Sequence, residues 1–135
     1  MLLDDTLYKR VHLLHIMSCA SLKKSYMNDI KEIIDSLIKF RNERDWEQFH
    51  NPKDLALALS IEAGELLEIF LWKSHEEANK EKVKDELADV FAYAFLLAEK
   101  YNLDVKEILL DKIKKNGEKY PVEKAKGNAK KYNEL

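Results

Sequence analysis

The sequence predicts an all-α protein built as a bundle of four helices, and three observations support this fold class. Glycine and proline are scarce, at 3 and 2 of 135 residues, whereas a sheet protein needs many turns. Charged residues make up 36% of the chain and hydrophobic residues 46%, a balance typical of helices with one solvated and one buried face. Apolar residues recur at helical spacing in four segments with short connections, which favours a helical bundle.

The first two predicted helices are separated by a polar cluster at 41–45. The first begins at Asp29 and carries a stripe of aliphatic residues spaced i, i+3, i+4, i+7 and i+8: Ile30, Ile33, Ile34, Leu37 and Ile38. The second begins at Asn51 and Pro52, an N-cap followed by proline at the first helical position. Its apolar spacing continues to about Lys73, which is its predicted end.

The third and fourth predicted helices follow after short connections. The third covers roughly Asn79 to Tyr101 and is apolar over much of its second half. The fourth begins at Asp104, with Glu107 three residues on in the pattern of a capping box. We expect it to end at Gly117, because glycine often follows the last residue of a helix.

Length and composition limit the domain organisation and the classes of partner. A chain of 135 residues is long enough for one domain, and residues 1–26 stand apart from it as an N-terminal extension. The short apolar run in that extension contains two histidines, so we interpret it as an accessory segment and not a signal peptide. Met27 then opens the predicted domain, 27–135.

The charge balance and the single cysteine give further expectations. A net charge of −2 indicates neither a nucleic-acid partner nor an anionic membrane surface, and no apolar run approaches the ~20 residues that span a bilayer. Cys19 alone cannot form an internal disulfide or a cysteine-based zinc site. A lone cysteine fits a reducing compartment, so the expected location is cytoplasmic.

Two pairs of acidic residues carry the chemical signal. Glu62 and Glu65 lie three apart on the second helix, and Glu86 and Asp89 lie three apart on the third. Residues three apart share a helix face, and here each pair interrupts an otherwise apolar stripe. Four carboxylates in a bundle interior would repel one another strongly unless a cation offset their charge. Oxygen ligands without histidine or cysteine predict Mg²⁺ or Mn²⁺, which can activate water against a phosphoryl group.

Two other interpretations of the acids stay open at this point. Acid pairs three apart are common in a highly charged chain and usually lie on a solvated face, as they would in a non-catalytic interaction module. A di-iron bundle also uses carboxylates from facing helices, but it favours a Glu-x-x-His pair. Neither Glu65 nor Glu86 has a histidine three residues on, which makes this the weaker alternative.

The order of several sequence blocks resembles the MazG-like all-α NTP pyrophosphohydrolases, most closely the dCTP pyrophosphatase branch. The blocks are RDWEQFHNP at 44–52, EAGELLEIFLWK at 62–73, ELADV at 86–90, KIKKN at 112–116, KYPV at 119–122 and KGNAKKY at 126–132. The resemblance implies hydrolysis of (deoxy)nucleoside triphosphates, with pyrimidine substrates such as dCTP, to the monophosphate and pyrophosphate. It implies Mg²⁺ held by Glu62, Glu65, Glu86 and Asp89, and a homo-oligomer, dimer or tetramer, whose subunits share the base pocket.

The resemblance also implies which other side chains bind the substrate. Aromatic faces stack on nucleobases, and histidine, tyrosine, lysine and asparagine side chains suit the sugar and phosphates. The expected substrate-binding residues are Trp46, His50, Trp72, Tyr93, Lys112, Asn116, Lys119 and Tyr120. Glu62 and Glu65 are the expected catalytic residues, although the spacing does not distinguish which carboxylate is the general base. Leu37 stands where some dCTP-cleaving members carry a polar base contact, which leaves the base preference open.

Overall fold

The computed structural model of the chain describes residues 29–135, and the regular elements among them are all helical. The all-α prediction is therefore confirmed, with a helix at each of the four predicted places. The described residues divide into two units, 29–44 and 45–135, and each is treated by itself. The predicted extension 1–26 and the predicted domain start at Met27 lie outside the described residues.

The first unit consists of one helix, α1, at 29–42 and the turn that follows it. The chain is already helical at residue 29, so the helix is observed over the whole apolar stripe that predicted it. The Arg44 guanidinium lies 3.6 Å from the centre of the Phe40 ring and donates to the Phe40 carbonyl oxygen at 2.9 Å. This side chain satisfies a carbonyl that the end of the helix would otherwise leave open.

Helix α2 spans Pro52–Glu68 and begins as predicted. The Asn51 side-chain oxygen accepts the Asp54 N–H at 3.0 Å, while Pro52 occupies the first turn, where its missing N–H is not needed. The predicted end near Lys73 is wrong, because the helix stops at Glu68.

The early end of α2 has a local cause in its last turn. The Phe70 and Leu71 N–H groups bond to carbonyls three residues back, at 3.0 and 3.2 Å, which tightens the chain away from α-helical geometry. Trp72 then takes a left-handed backbone with φ of 61°. The apolar spacing continues through Ile69 and Trp72, so periodicity alone extends the helix too far.

Helix α3 spans Lys80–Lys100, in agreement with the prediction. The Asn79 side chain caps it by accepting the Glu81 and Lys82 N–H groups at 3.0 and 3.1 Å. At the other end Asn102 has φ of 52°, and its N–H bonds to the Glu99 oxygen at 2.9 Å. Asparagine tolerates this left-handed conformation, and the hydrogen bonding is that of a Schellman motif, which turns the chain directly into the next helix.

Helix α4 spans Val105–Lys119 and is capped by the Asp104 side chain, which accepts the Glu107 N–H at 2.9 Å. The predicted end at Gly117 is wrong, since the helix continues through this residue. It ends at Lys119, because the ring of Pro121 disfavours helical backbone at Tyr120, where φ is −123°. The short helix α5, Val122–Ala125, and a 3₁₀ turn at Tyr132–Glu134 complete the chain.

Packing within the second unit centres on the pair α2 and α3. Leu55 on α2 is 1% exposed, and Leu96 and Ala98 on α3 are buried, as is Val105 at the start of α4. Full burial of a leucine contributes about 1.5–3 kcal/mol relative to exposure. By contrast, α4 leaves a row of large aliphatic side chains exposed: Ile108, Leu109, Leu110 and Ile113. In the part of the chain that the structure describes, no helix combines the length and hydropathy needed to cross a bilayer.

Candidate functional site

Three of the four predicted metal ligands meet where α2 faces α3. One carboxylate oxygen from each of Glu62, Glu65 and Glu86 lies within 4.8 Å of the other two. Glu62 and Glu86 are half-buried, whereas Glu65 and Asp89 are exposed in the single chain. Asp89, one turn after Glu86, is not a member of this close group. The expectation that all four carboxylates lie in an interior is therefore not met in the single chain, where Glu62 and Glu86 are only partly buried.

The electrostatics of the cluster indicate an uncompensated concentration of negative charge. Burial raises the pKa of Glu62, and the charges of Glu65, Asp89 and Glu86 raise it further. The influence of Asp89 shows that it belongs to the same electrostatic neighbourhood. A group of carboxylate oxygens without nitrogen or sulfur fits a hard divalent cation, which would offset this repulsion.

Tyr93 lies near the carboxylates, and His50 contacts Tyr93. Burial raises the pKa of the Tyr93 hydroxyl, and the Glu62 and Asp89 charges add to the effect. The hydroxyl therefore stays protonated at neutral pH and can donate a hydrogen bond. The His50 and Tyr93 rings meet edge-on, with centroids 6.4 Å apart and an angle of 63° between the ring planes. Of the predicted substrate contacts, Tyr93 is thus near the predicted metal ligands, and His50 packs against Tyr93.

A 3₁₀ turn at Trp46–Phe49 carries the first predicted base-stacking residue. The Lys100 ammonium of α3 forms an ion pair with the Glu47 carboxylate of this turn, and the Lys100 side chain is only 19% exposed. The His50 N–H bonds to the Glu47 carbonyl oxygen at 3.1 Å. Glu47 therefore connects the segment of Trp46 and His50 to α3, the helix that provides Glu86. Trp46 keeps 44% of its surface exposed.

Trp72 presents its indole almost entirely to solvent, with 98% of the residue exposed. Its left-handed backbone costs a non-glycine residue of order 1 kcal/mol or more. A side chain of this size, held outward by an unfavourable backbone, is available to stack on a ligand or a second chain. In the single chain it does not line the cavity at the carboxylates.

A polar cavity of about 530 Å³ adjoins the carboxylate cluster. Its walls come from the end of α2, the connection after it and the start of α3: Glu65, Glu68, Ile69, Lys73, Glu77, Asn79, Lys82 and Glu86. The sequence prediction missed the two cations, Lys73 and Lys82. Two signals pointed to them, since Lys73 ends the block 62–73 and Lys82 precedes Glu86 by four residues on the same helix face.

The structure does not bring the four predicted α4 contacts to this cavity. Lys112, Asn116, Lys119 and Tyr120 are all exposed, and none lines its walls. Instead, the Lys119 ammonium lies 5.2 Å from the centre of the Tyr132 ring, and the Tyr120 and Tyr132 rings meet edge-on with centroids 6.2 Å apart. The α4 residues form a second group, separate from the carboxylate cavity in the single chain.

Comparison with known proteins gives one consistent family. Residues 57–135 match the model of the MazG-like family. Over 105 residues, 72% of this chain, the sequence is 42% identical to dCTP pyrophosphatase 1 of Mus musculus and 39% identical to that of Homo sapiens. The chain spans 62% of the length of these curated relatives.

A solved structure supports the same assignment. A pyrophosphatase from Archaeoglobus fulgidus is 39% identical, covers 69% of this chain and 93% of its own, and superposes with a TM-score of 0.65. The resemblance predicted from the ordered sequence blocks is therefore confirmed. Because the family model matches more than half of its residues, the chain belongs to the MazG-like family.

Proposed function

We propose that the protein hydrolyses a deoxynucleoside triphosphate between the α- and β-phosphates, releasing the monophosphate and pyrophosphate. The observation that carries this proposal is the group of three carboxylates, whose oxygens lie within 4.8 Å of one another beside an open polar cavity. The curated relatives are named dCTP pyrophosphatase 1, which favours a pyrimidine substrate such as dCTP. Such an activity clears unwanted nucleotides and would suit a cytoplasmic protein.

Glu62, Glu65 and Glu86, with Asp89 close by, would hold Mg²⁺ or Mn²⁺. Their oxygens match the preference of these ions, and the raised pKa of Glu62, caused by burial and then by the charges of Glu65, Asp89 and Glu86, reflects repulsion that a cation removes. Bound there, the ion would offset the phosphate charge and lower the pKa of an attacking water. In a non-catalytic module without a bound cation, nothing would offset the repulsion among these carboxylates.

The remaining roles fall to side chains around the cluster. Either Glu62 or Glu65 accepts the proton of the attacking water. The protonated Tyr93 hydroxyl donates to a phosphate or ligand oxygen. Trp46 and Trp72 stack on the base, an interaction worth about 1–3 kcal/mol each, and His50 contacts the base or sugar.

A homo-oligomer would complete this site. The aliphatic row on α4 is exposed in one chain, and an apolar surface of this kind is typical of a subunit interface. Lys112, Asn116, Lys119 and Tyr120 lie on or next to this helix and would reach the phosphates of a neighbouring subunit's site. Cations of this kind offset the triphosphate charge that remains beyond the metal.

The proposed activity has a direct test. Purified full-length protein is incubated with Mg²⁺ and a panel of dCTP, dUTP, dTTP, dATP, modified pyrimidine nucleotides and the ribonucleotides, and monophosphate and pyrophosphate are quantified. We expect equal amounts of both products and the highest kcat/KM for a pyrimidine deoxynucleotide. Release of inorganic phosphate in place of pyrophosphate would contradict the bond assignment. Complete inactivity with helicity intact would favour the interaction module, and an iron chromophore would favour the di-iron bundle.

Mg²⁺ is expected to stabilise the fold at pH 7.5, because it offsets the carboxylate repulsion in the folded state only. Folding raises the pKa of Glu62, through burial and then through the charges of Glu65, Asp89 and Glu86. Ionised Glu62 therefore destabilises the fold: the stability present below pH 4.5 is lost as the pH rises through the raised pKa. At a Mg²⁺ concentration of 100 Kd the gain is about 2.7 kcal/mol, read as a higher melting temperature.

Matched variants separate this effect from general salt stabilisation. Glu62→Gln is expected to raise the melting temperature of the metal-free protein and to reduce the Mg²⁺-dependent increase. Asp85→Asn, on the exposed surface of α3 next to Glu86, should leave both values unchanged. An equal increase with Na⁺ at matched ionic strength, or none with Mg²⁺, would be evidence against a metal at this cluster.

A further inference from the structure

We propose that the cavity beside the carboxylates binds the β- and γ-phosphates of the substrate, and then the departing pyrophosphate, through Lys73 and Lys82. This inference deepens the proposed function and rests on it. It assigns two residues that were absent from the predicted substrate contacts, and it places them on the same chain as Glu65 and Glu86.

The arrangement of charge around the cavity carries the proposal. Glu65 and Glu86, two members of the carboxylate cluster, form part of its wall, and Lys73 and Lys82 belong to the same wall. The cavity volume of about 530 Å³ leaves room for a hydrated pyrophosphate. A nucleotide whose α-phosphate lies at the carboxylate-bound cation would thus have its outer phosphates within the space that the two lysines border.

The two lysines are available for such a ligand. Within residues 29–135, neither ammonium takes part in an ion pair. Lys84, two positions after Lys82 on the same helix, does form an ion pair, because its ammonium lies 2.7 Å from the Glu81 carboxylate. Lysine is a compact, mobile point charge that suits a phosphate group, and an unpaired lysine binds one without first breaking an ion pair.

Four acids share the wall with the two lysines: Glu65, Glu68, Glu77 and Glu86. Hydrogen bonds from Ser74 lower the pKa of Glu77, and the Lys73 charge lowers it further. The Glu77 carboxylate accepts the Ser74 N–H at 2.8 Å in a capping box, so its position is fixed by the connection itself. Glu65 and Glu86 would be offset by the cation they hold. Asn79, the N-cap of α3, also lines the cavity, and the positive end of the α3 dipole therefore adds to the field of the lysines.

The two lysines should make the activity depend on the number of phosphates in the substrate. A nucleoside diphosphate would release inorganic phosphate in place of pyrophosphate and would lack the γ-phosphate that the lysines contact. We therefore expect kcat/KM to fall steeply from the triphosphate to the diphosphate. Inorganic pyrophosphate should inhibit as a product by occupying the same cavity. The nucleoside monophosphate, which stays at the base pocket, should inhibit independently of both lysines.

The test compares Lys73→Met, Lys82→Met and the double variant with the Lys84→Met control. On the best triphosphate of the panel, each single variant is expected to lose about 10-fold in kcat/KM and the double variant about 100-fold, typical of lost hydrogen bonds to charged groups. The inhibition constant of pyrophosphate should rise in parallel, while that of the monophosphate stays constant. Lys84→Met should behave as the parent in every measurement, and Lys82→Arg should recover most of the loss.

A binding measurement keeps this proposal separate from the proposed activity. Calorimetric titration of pyrophosphate in the presence of Mg²⁺ needs no turnover and should show the same weakening in the double variant. A parent that turns over nucleotides and a double variant that binds pyrophosphate unchanged would overturn the lysine assignment alone. A parent inactive on every nucleotide overturns the proposed function, and pyrophosphate binding that depends on both lysines would still support the cavity as a pyrophosphate site.

Discussion

Glu65→Gln is expected to lower kcat/KM by on the order of 10³-fold with no loss of helicity. The amide keeps the shape of the carboxylate but removes the negative charge with which Glu65, together with Glu62 and Glu86, would hold the proposed cation. Because Glu65 is exposed in the chain, its replacement leaves no buried group unpaired, and the fold should remain stable. Steady-state kinetics on the best nucleotide and far-ultraviolet circular dichroism check the two halves of this expectation.

Two comparisons make the result specific. Asp85→Asn removes one negative charge from exposed α3 surface and should retain full activity. Raising the Mg²⁺ concentration should recover part of the Glu65→Gln activity if the defect is weaker metal binding. A Glu65→Gln protein that turns over as fast as the parent would show that Glu65 is neither a metal ligand nor the general base.

The beginnings of the helices were predictable, because capping is local chemistry. Asn51, Asn79 and Asp104 each accept N–H groups from the first turn of the following helix. Asn51 and Asp104 were identified as caps from residue type and position, and Asn79 as the approximate start of the third helix. The ends were less predictable. Glu68 ends α2 through tightened turns with no glycine to signal them, and α4 passes through Gly117 because the decisive residue is the later Pro121.

The candidate site shows the same division between local and tertiary information. Helical spacing places Glu62 beside Glu65 on one face, and this much follows from sequence. Their meeting with Glu86 depends on how α2 packs on α3, which spacing does not determine. Lys73 lies in the connection between these helices, where the apolar spacing extended α2 too far, so its place beside the carboxylates depends on the tertiary structure.

One chain contains only part of the substrate contacts that were predicted. The carboxylates, Tyr93 and His50 gather at α2 and α3, while the α4 residues lie outside the cavity next to exposed aliphatic side chains. A site shared between subunits would explain both observations, because a single chain would then lack some of the phosphate contacts and would leave its interface exposed. The proposal of a shared site therefore predicts complementation between differently damaged subunits.

Mixing two inactive variants is expected to restore activity. The first, Glu65→Gln, lacks a carboxylate, and the second, Lys112→Ala with Asn116→Ala, lacks the α4 contacts. In a two-fold symmetric pair whose site combines the carboxylates of one subunit with α4 of the other, each mixed pair holds one undamaged and one doubly damaged site. Random reassortment makes half of the pairs mixed, so co-refolded protein should reach about a quarter of parent activity.

The control for complementation uses two variants damaged on the same side of the site. Glu65→Gln mixed with Glu86→Gln should stay inactive, because both carboxylates of a site come from one chain and every site then carries a defect. Differently tagged subunits and co-purification show that mixed oligomers have formed. If Glu65→Gln and the Lys112→Ala, Asn116→Ala variant form mixed oligomers but turnover is not restored, α4 and the carboxylates of each site come from a single chain. Recovery only in the combination that pairs a carboxylate defect with an α4 defect would instead require that the neighbouring subunit supplies Lys112 and Asn116.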